Sequence, residues 1–288
     1  MDFRKPKDKP FGSSPAAPLF SVWATAVGRG ARARVPSRLR KPAYRAFARA
    51  TGADLDEAEL ELGAYTSLGD LFARKLRAGA RPIETDPRAV SSPCDGVVAA
   101  RGIATDGELI QAKGLNYRLE DLVVDGQMAR RLTDGPYATI YLSPRDYHRV
   151  HAPVDGKLVG YTYVPGEQWP VNLKVAARRD QLLVRNERVV IWLETLAGGV
   201  PSMVAVVMVG ATGVGNIRLE HAPDSVTWRH AGELRTIEVR DVRVARGDEL
   251  GAFRLGSTVV MVFERGVVEL GGDVGQVVRM GERIGART

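Results

Sequence analysis

The chain has 288 residues, 44% of them hydrophobic, with 41 Lys/Arg against 34 Asp/Glu and a formal charge of +7. That length holds one large domain or two small ones; a single cysteine, Cys94, excludes an internal disulfide framework, and four histidines without a CxxC or HExxH pattern argue against a metal site. Twelve of the Lys/Arg but only two of the Asp/Glu fall in residues 1–50, so the basic character belongs to an N-terminal arm that suits nucleic acid or an anionic membrane surface.

Residues 1–16, charged and then rich in Gly, Ser and Pro, read as a disordered basic tail. Residues 17–27 (APLFSVWATAV) are apolar and carry Phe20 and Trp23, but the run falls well short of the ~20 residues that span a bilayer. It leads into Arg29, Arg32 and Arg34, which is not a signal-peptide pattern. As a helix, SRLRKPAYRAFARATG (37–52) places Arg38, Lys41, Arg45 and Arg49 on one face and Leu39, Ala43 and Phe47 on another, with Pro42 near its first turns. A basic amphipathic helix behind a short Trp-bearing segment suits the plane of a membrane interface; packing on the body is the competing reading. In 67–83 (SLGDLFARKLRAGARPI), Leu68, Leu71, Phe72 and Leu76 recur at helical spacing. Residues 17–80 therefore read as a helical, membrane-associating region.

From about Val90 the pattern changes to short strands between Gly and Pro turns. YATIYL (137–142), RVVIWLE (188–194), MVAVVMV (203–209), TIEVRDVRV (236–244) and STVVMVF (257–263) are the clearest. Residues 81–288 form a β-rich domain, and the fold class is α+β with a mostly antiparallel body. SPCDGVVAA (92–100) and APVDGKLVG (152–160) echo one another, each with Pro-x-Asp-Gly ahead of a strand. Such units resemble the flattened sandwich of biotinyl and lipoyl carriers, although no lysine stands at a matching hairpin tip.

Three features carry potential chemistry. Gly256-Ser257 stands at the mouth of the last apolar strand, where a serine hydroxyl could attack the carbonyl preceding it. His148 and His151 lie three apart in YLSPRDYHRVHAPVDG (141–156). A strand would send them to opposite faces, whereas a turn could bring them together. Asp95 sits in the first Asp-Gly turn, an ordinary place for a turn residue. Asp95, His151 and Ser257 would make an acid, a base and a nucleophile. A serine hydrolase acting on an external ester is the rival, but the chain has no G-x-S-x-G elbow.

SPCDG, YLSPRDYHRVHAP, VPGEQWPVN (164–172), RNERV (185–189), VGATGVGNI (209–217) and RGDELGAFRLGSTVV (246–260) together resemble the phosphatidylserine decarboxylases, pyruvoyl-dependent enzymes of membrane lipid synthesis. The resemblance runs in the family's order from about residue 35 to the end, and the basic N-terminus is similar to that of the membrane-bound bacterial form. The chain departs from the family's usual residues at Gln168-Trp169-Pro170 and at Asn216.

The resemblance implies a zymogen in which Asp95 orients His151, His151 takes the Ser257 proton, and Ser257 attacks the Gly256 carbonyl. Elimination and hydrolysis would leave chains 1–256 and 257–288, the second beginning with a covalent pyruvoyl cofactor made from Ser257. A Schiff base between that group and phosphatidylserine would release CO2 and give phosphatidylethanolamine, with His148 as the proton donor. Lys113 and Gly114, in QAKGLNYRL (111–119), are candidate headgroup contacts. Implied partners are phosphatidylserine, an anionic membrane surface, the two cleavage chains for one another and a possible second copy in a homo-oligomer, with no nucleic acid. The implied location is the cytoplasmic side of the inner membrane, held peripherally.

Overall fold

The computed structural model describes residues 30–112, 115–211, 217–222, 233–254 and 257–288. The tail and the apolar stretch of the arm lie outside the described residues, as do Lys113, Gly114 and Gly256. The first long helix is α1 (Ser37–Thr51), closed by Gly52 in the left-handed region at φ 77°. Pro42 lies within it. Its docked stripe differs from the expected one. Tyr44 is buried and donates its hydroxyl to the Tyr65 carbonyl at 3.1 Å, and Phe47 packs on Phe72 with ring centroids 5.3 Å apart. Leu39 and Ala43 are exposed, as are Arg38, Lys41, Arg45 and Arg49. The helix therefore docks through its aromatic residues and leaves its basic face outward.

The helical spacing read over 67–83 yields only α2 (Leu68–Phe72), capped by the Ser67 side chain, which accepts from the Asp70 amide. The chain then turns away, because Arg149 takes the carbonyls of Ala73 and Arg74 and Leu76 bridges to Ala58. Much of 52–80 is turn and loop, so the expected helical region is only partly helical.

Sixteen strands follow among the described residues: β1 (Ala89–Ser91), β2 (Gly96–Ile103), β3 (Glu108–Ala112), β4 (Leu115–Arg118), β5 (Pro136–Leu142), β6 (Arg149–His151), β7 (Gly156–Val164), β8 (Arg188–Ala197), β9 (Val200–Gly210), β10 (Ile217–Leu219), β11 (Arg235–Val244), β12 (Glu249–Phe253), β13 (Ser257–Phe263), β14 (Val268–Leu270), β15 (Val277–Val278) and β16 (Arg283–Arg287). Eight form one antiparallel sheet in the order β11-β7-β8-β9-β13-β5-β2-β15. Two three-stranded sheets, β10-β12-β6 and β1-β16-β14, and the β3-β4 ribbon complete the body.

The unbroken apolar runs of β9 and β13 reflect burial on both faces of the large sheet. Val259, Met261 and Phe263 of β13 point into one core with Val150, Leu250, Phe253 and Val268 of the smaller sheets. Val260 and Val262 point into another, with Leu122 of α3 (Leu119–Val123), Leu132 of α4 (Gly126–Leu132) and Leu183 of α6 (Leu182–Arg185). The short α5 (Leu173–Ala176) adds Ala176 to this second core. At ~1.5–3 kcal/mol for each large side chain taken from water, β13 is an anchor for both layers.

The Pro-x-Asp-Gly echo has one physical basis in both copies. A Cβ on Gly96 would lie 2.4 Å from the Tyr141 carbonyl oxygen, and one on Gly156 would lie 2.6 Å from that of Glu194. Each glycine lets β2 or β7 start hard against its neighbour.

Candidate active site

Ser257 is the first residue of β13, paired with Leu142 of β5 on one side and Gly210 of β9 on the other. It is fully buried, and among the described residues its Oγ has no hydrogen-bond partner. The neighbouring strands end there too, β5 at Leu142 and β9 at Gly210.

The loop after β5 brings in the histidines. Asp146 folds Ser-Pro-Arg-Asp into a tight turn, accepting from both the amide and the hydroxyl of Ser143 at 2.7 Å. His148 follows, fully buried, with its Nδ1–H donating to the Asp146 carbonyl at 2.8 Å. That tautomer leaves Nε2 with a free lone pair, and among the described residues Nε2 has no partner. The ring meets Phe72 edge-on, with centroids 4.9 Å apart. Burial, reinforced by the Arg74 charge, pulls the His148 pKa down to about 4 against the pull of the Asp146 carbonyl and the Asp95 charge. The imidazole is neutral at neutral pH.

His151 ends β6 and is also buried. Its Nδ1–H donates to the Gly247 carbonyl at 2.8 Å, and Nε2 accepts from the Tyr147 hydroxyl at 3.1 Å. Burial lowers its pKa, partly offset by the Gly247 carbonyl, Glu249 and Asp95. Burial also pushes the Tyr147 phenol up, so it stays a donor. The two histidines therefore share a design: Nδ1–H held by a main-chain carbonyl and Nε2 turned inward as a base. The start of β6 falls between them, so His148 lies in the loop and His151 in the strand.

Asp95 lies beside this pair, since the His151 amide donates to Pro93 two residues away. Its carboxylate is not hydrogen-bonded to His151. It accepts from Arg81 Nε at 2.9 and 3.1 Å, from Arg81 Nη2 at 2.6 Å and from the Met280 amide at 2.8 Å. Arg81 also grips Glu57 at 2.9–3.0 Å. Burial would lower the Arg81 pKa, but its two carboxylates hold it well above the ordinary value. Among the described residues, Asp95 reaches His148 and His151 through its charge and not through a bond.

The departure at Gln168-Trp169-Pro170 sits next to this centre. Asn186 donates to the Trp169 carbonyl at 2.8 Å and to the Gly210 carbonyl at 2.9 Å, and Gly210 is the β9 partner of Ser257. Sequence reasoning did not find Tyr147 or Arg81. Tyr147 stands beside His148 in the quoted motif, but nothing in its spacing announces a bond to His151. Arg81 is one of many arginines, and only the fold pairs it with Asp95.

A buried serine at the head of a central strand, together with two buried neutral imidazoles in the segment that follows β5, gives the chain the residue types of an acyl-transfer centre shielded from bulk water. The chain belongs to the phosphatidylserine decarboxylase family, whose model matches residues 68–286. It is 41% identical over 272 residues to the phosphatidylserine decarboxylase proenzyme of Myxococcus xanthus, covering 93% of this chain and 95% of that protein. It is 43% identical over 270 residues to the proenzyme of Anaeromyxobacter sp., covering 90% and 92% of the two chains. It is also 43% identical over 276 residues to that of Halorhodospira halophila, covering 93% and 89%.

Proposed function

We propose that the chain is a proenzyme that converts itself into a phosphatidylserine decarboxylase, releasing CO2 and phosphatidylethanolamine in phospholipid synthesis. Family membership supports the reaction, and the buried Ser257 Oγ without a partner is the observation that carries the site. Enzymes of this family carry a covalent pyruvoyl group made from their own chain. When formed, that group supplies a ketone for the substrate amine and a sink for the electron pair left by CO2. The residues present fit it: the hydroxyl lost in forming it makes no hydrogen bond among the described residues, and the sheet holds β13 on both sides.

In maturation, His151 takes the Ser257 proton, Oγ adds to the Gly256 carbonyl, and the peptide bond becomes an ester. Elimination then frees the Gly256 carboxylate, and hydrolysis releases ammonia. For this step His151 Nε2 must exchange the Tyr147 hydroxyl for Ser257 Oγ. Asp95 assists by its charge, which favours the protonated imidazole, while Arg81 fixes the carboxylate in place. His148 keeps a base at Nε2, away from bulk water, to collect a proton and return it to the substrate carbon. Chains 1–256 and 257–288 stay together because β13 lies between β9 and β5.

The repeated Asp-Gly strand units are sandwich elements of the biotinyl and lipoyl kind. No helix among the described residues is long and apolar enough to cross a membrane. The outward basic face of α1 and the arm before it would hold the protein peripherally on anionic lipid at the cytoplasmic face of the inner membrane. Lys113 and Gly114 are retained as candidate headgroup contacts, and a homo-oligomer as a candidate assembly. The test is turnover of phosphatidylserine labelled at the serine carboxyl. Labelled CO2 with equimolar phosphatidylethanolamine supports the reading; release of a fatty acid or free serine in its place would show a hydrolase.

A further inference from the structure

Two buried polar groups take no part in the steps above. Arg74 is 3% exposed and makes no ion pair among the described residues. Its guanidinium meets only the Leu71 and Arg145 carbonyls, at 3.5 and 3.4 Å, and its Nε has no partner. Tyr65, 5% exposed, has a hydroxyl with no hydrogen-bond partner among the described residues. The Leu60 amide lies near that oxygen but outside hydrogen-bond geometry, and as a donor it could not receive the phenolic proton. Both residues line one cavity of about 290 Å³.

The rest of the wall favours an anion. Lys75, Arg149, Arg218 and Arg254 face Glu59 and Asp70. The Asp70 carboxylate already accepts from the Thr66 hydroxyl, and Arg149 is engaged by Glu249 and Arg218 by Glu220. A buried guanidinium without a counter-ion and a buried hydroxyl without an acceptor are both unfavourable. One anionic oxygen ligand would relieve both.

The cavity adjoins the reaction centre. Phe72, two residues before Arg74, packs on His148, while Arg149 follows His148 and Arg254 precedes Ser257 by three. A serine phospholipid presents two anionic groups, a carboxylate and a phosphodiester. A cation on the carboxylate would stabilise the charge that must be lost as CO2, opposing the reaction. A cation on the phosphodiester binds ground state and transition state alike.

Resting on the decarboxylase reading, we propose that Arg74 and Tyr65 bind the phosphodiester of the lipid headgroup and hold it beside His148 and Ser257. The test is calorimetric titration of the mature enzyme with glycerophosphoethanolamine, inorganic phosphate and L-serine. Arg74→Gln should weaken glycerophosphoethanolamine about tenfold or more, and Arg74→Lys less. Tyr65→Phe should weaken it about threefold while raising the unfolding midpoint of the ligand-free protein, since it removes a buried hydroxyl that has no acceptor. A purely structural role would not couple those opposite signs. L-Serine, which lacks the phosphate, should not sense the substitutions. Should Arg74→Gln fail to fold, Arg74→Lys and Tyr65→Phe decide the matter. The proposal is overturned by no binding of glycerophosphoethanolamine to the wild type, by unchanged affinity in the variants, or by an equal loss towards serine. Tighter binding of inorganic phosphate than of the diester would overturn the lipid assignment. Absence of CO2 release from phosphatidylserine would instead refute the reaction, because these titrations do not depend on turnover.

Discussion

The Phe253 amide donates to the His148 carbonyl at 2.9 Å, tying the histidine loop to the strand that runs, four residues later, into Ser257. β12 and β13 lie in different sheets, with His148 tied to the last residue of β12 and Ser257 opening β13. The histidine loop is held by backbone pairing and not by a mobile side chain. This is the preorganisation that a single-turnover maturation step needs.

The two histidines should separate by step. His151→Ala should leave the 288-residue chain uncut. His148→Ala should cleave normally yet lose CO2 release by about 10²–10⁴-fold, the usual worth of a positioned acid or base. Denaturing electrophoresis beside a CO2 assay reads both. A His148→Ala protein that also fails to cleave would mean that the two roles are exchanged.

Stability should fall in mild acid. His148 has its pKa lowered to about 4 in the fold from an ordinary 6.5, with burial the main cause. Between those values the unfolded chain binds the proton and the folded chain does not, so stability rises with pH across that window and is lost as pH falls through it. A shift of this size corresponds to about 3 kcal/mol in all, and His151, shifted in the same direction, adds to it. Urea unfolding from pH 7 to pH 4 should show the decline, and His148→Gln should flatten it. A flat wild-type profile would contradict the burial of these rings in neutral form.

Arg81 is expected to matter more for stability than its place in an arginine-rich stretch suggests. Arg81→Met would leave Asp95 buried without its cation, a loss of about 3–5 kcal/mol for a broken buried pair. Asp95→Asn, which keeps the Met280 contact, should be milder in unfolding assays but slow self-cleavage, because the charge felt by both histidines is gone. Equal cleavage rates in Asp95→Asn and the wild type would remove Asp95 from the maturation step.

Much of this was legible before any coordinates. STVVMVF matches β13 residue for residue, and MVAVVMV lies within β9, because an apolar β-branched run without a helical period has few alternatives in a two-faced sheet. Ser257, His148 and His151 stood out because their residue types are scarce and their motifs dense. The helix read across 67–83 stops at Phe72 because Arg149, 75 residues away from Arg74, takes its backbone carbonyls, and local periodicity carries no trace of that contact. Of the stripe expected on α1, Phe47 faces inward but Leu39 and Ala43 do not, and Tyr44 takes their place because Tyr65 is there to receive it. The Asp95–Arg81 pair and the Tyr147–His151 bond are likewise products of tertiary approach.

The arm should act as an electrostatic tether. Deleting residues 1–35 should release the protein from vesicles containing anionic lipid, and raising salt should weaken binding of the full chain, since exposed charges are screened beyond about 10 Å at 0.1 M. Sedimentation with vesicles measures both. Undiminished binding by the truncated protein would move the membrane contact to the β body.

The most direct test of the account is the mass of the active protein under denaturing conditions. Two chains are expected, 1–256 and 257–288, the smaller with a blocked, ketone-bearing start in place of Ser257, while Ser257→Ala gives one intact and inactive chain. A wild-type preparation that releases CO2 from phosphatidylserine as a single uncut chain would contradict it.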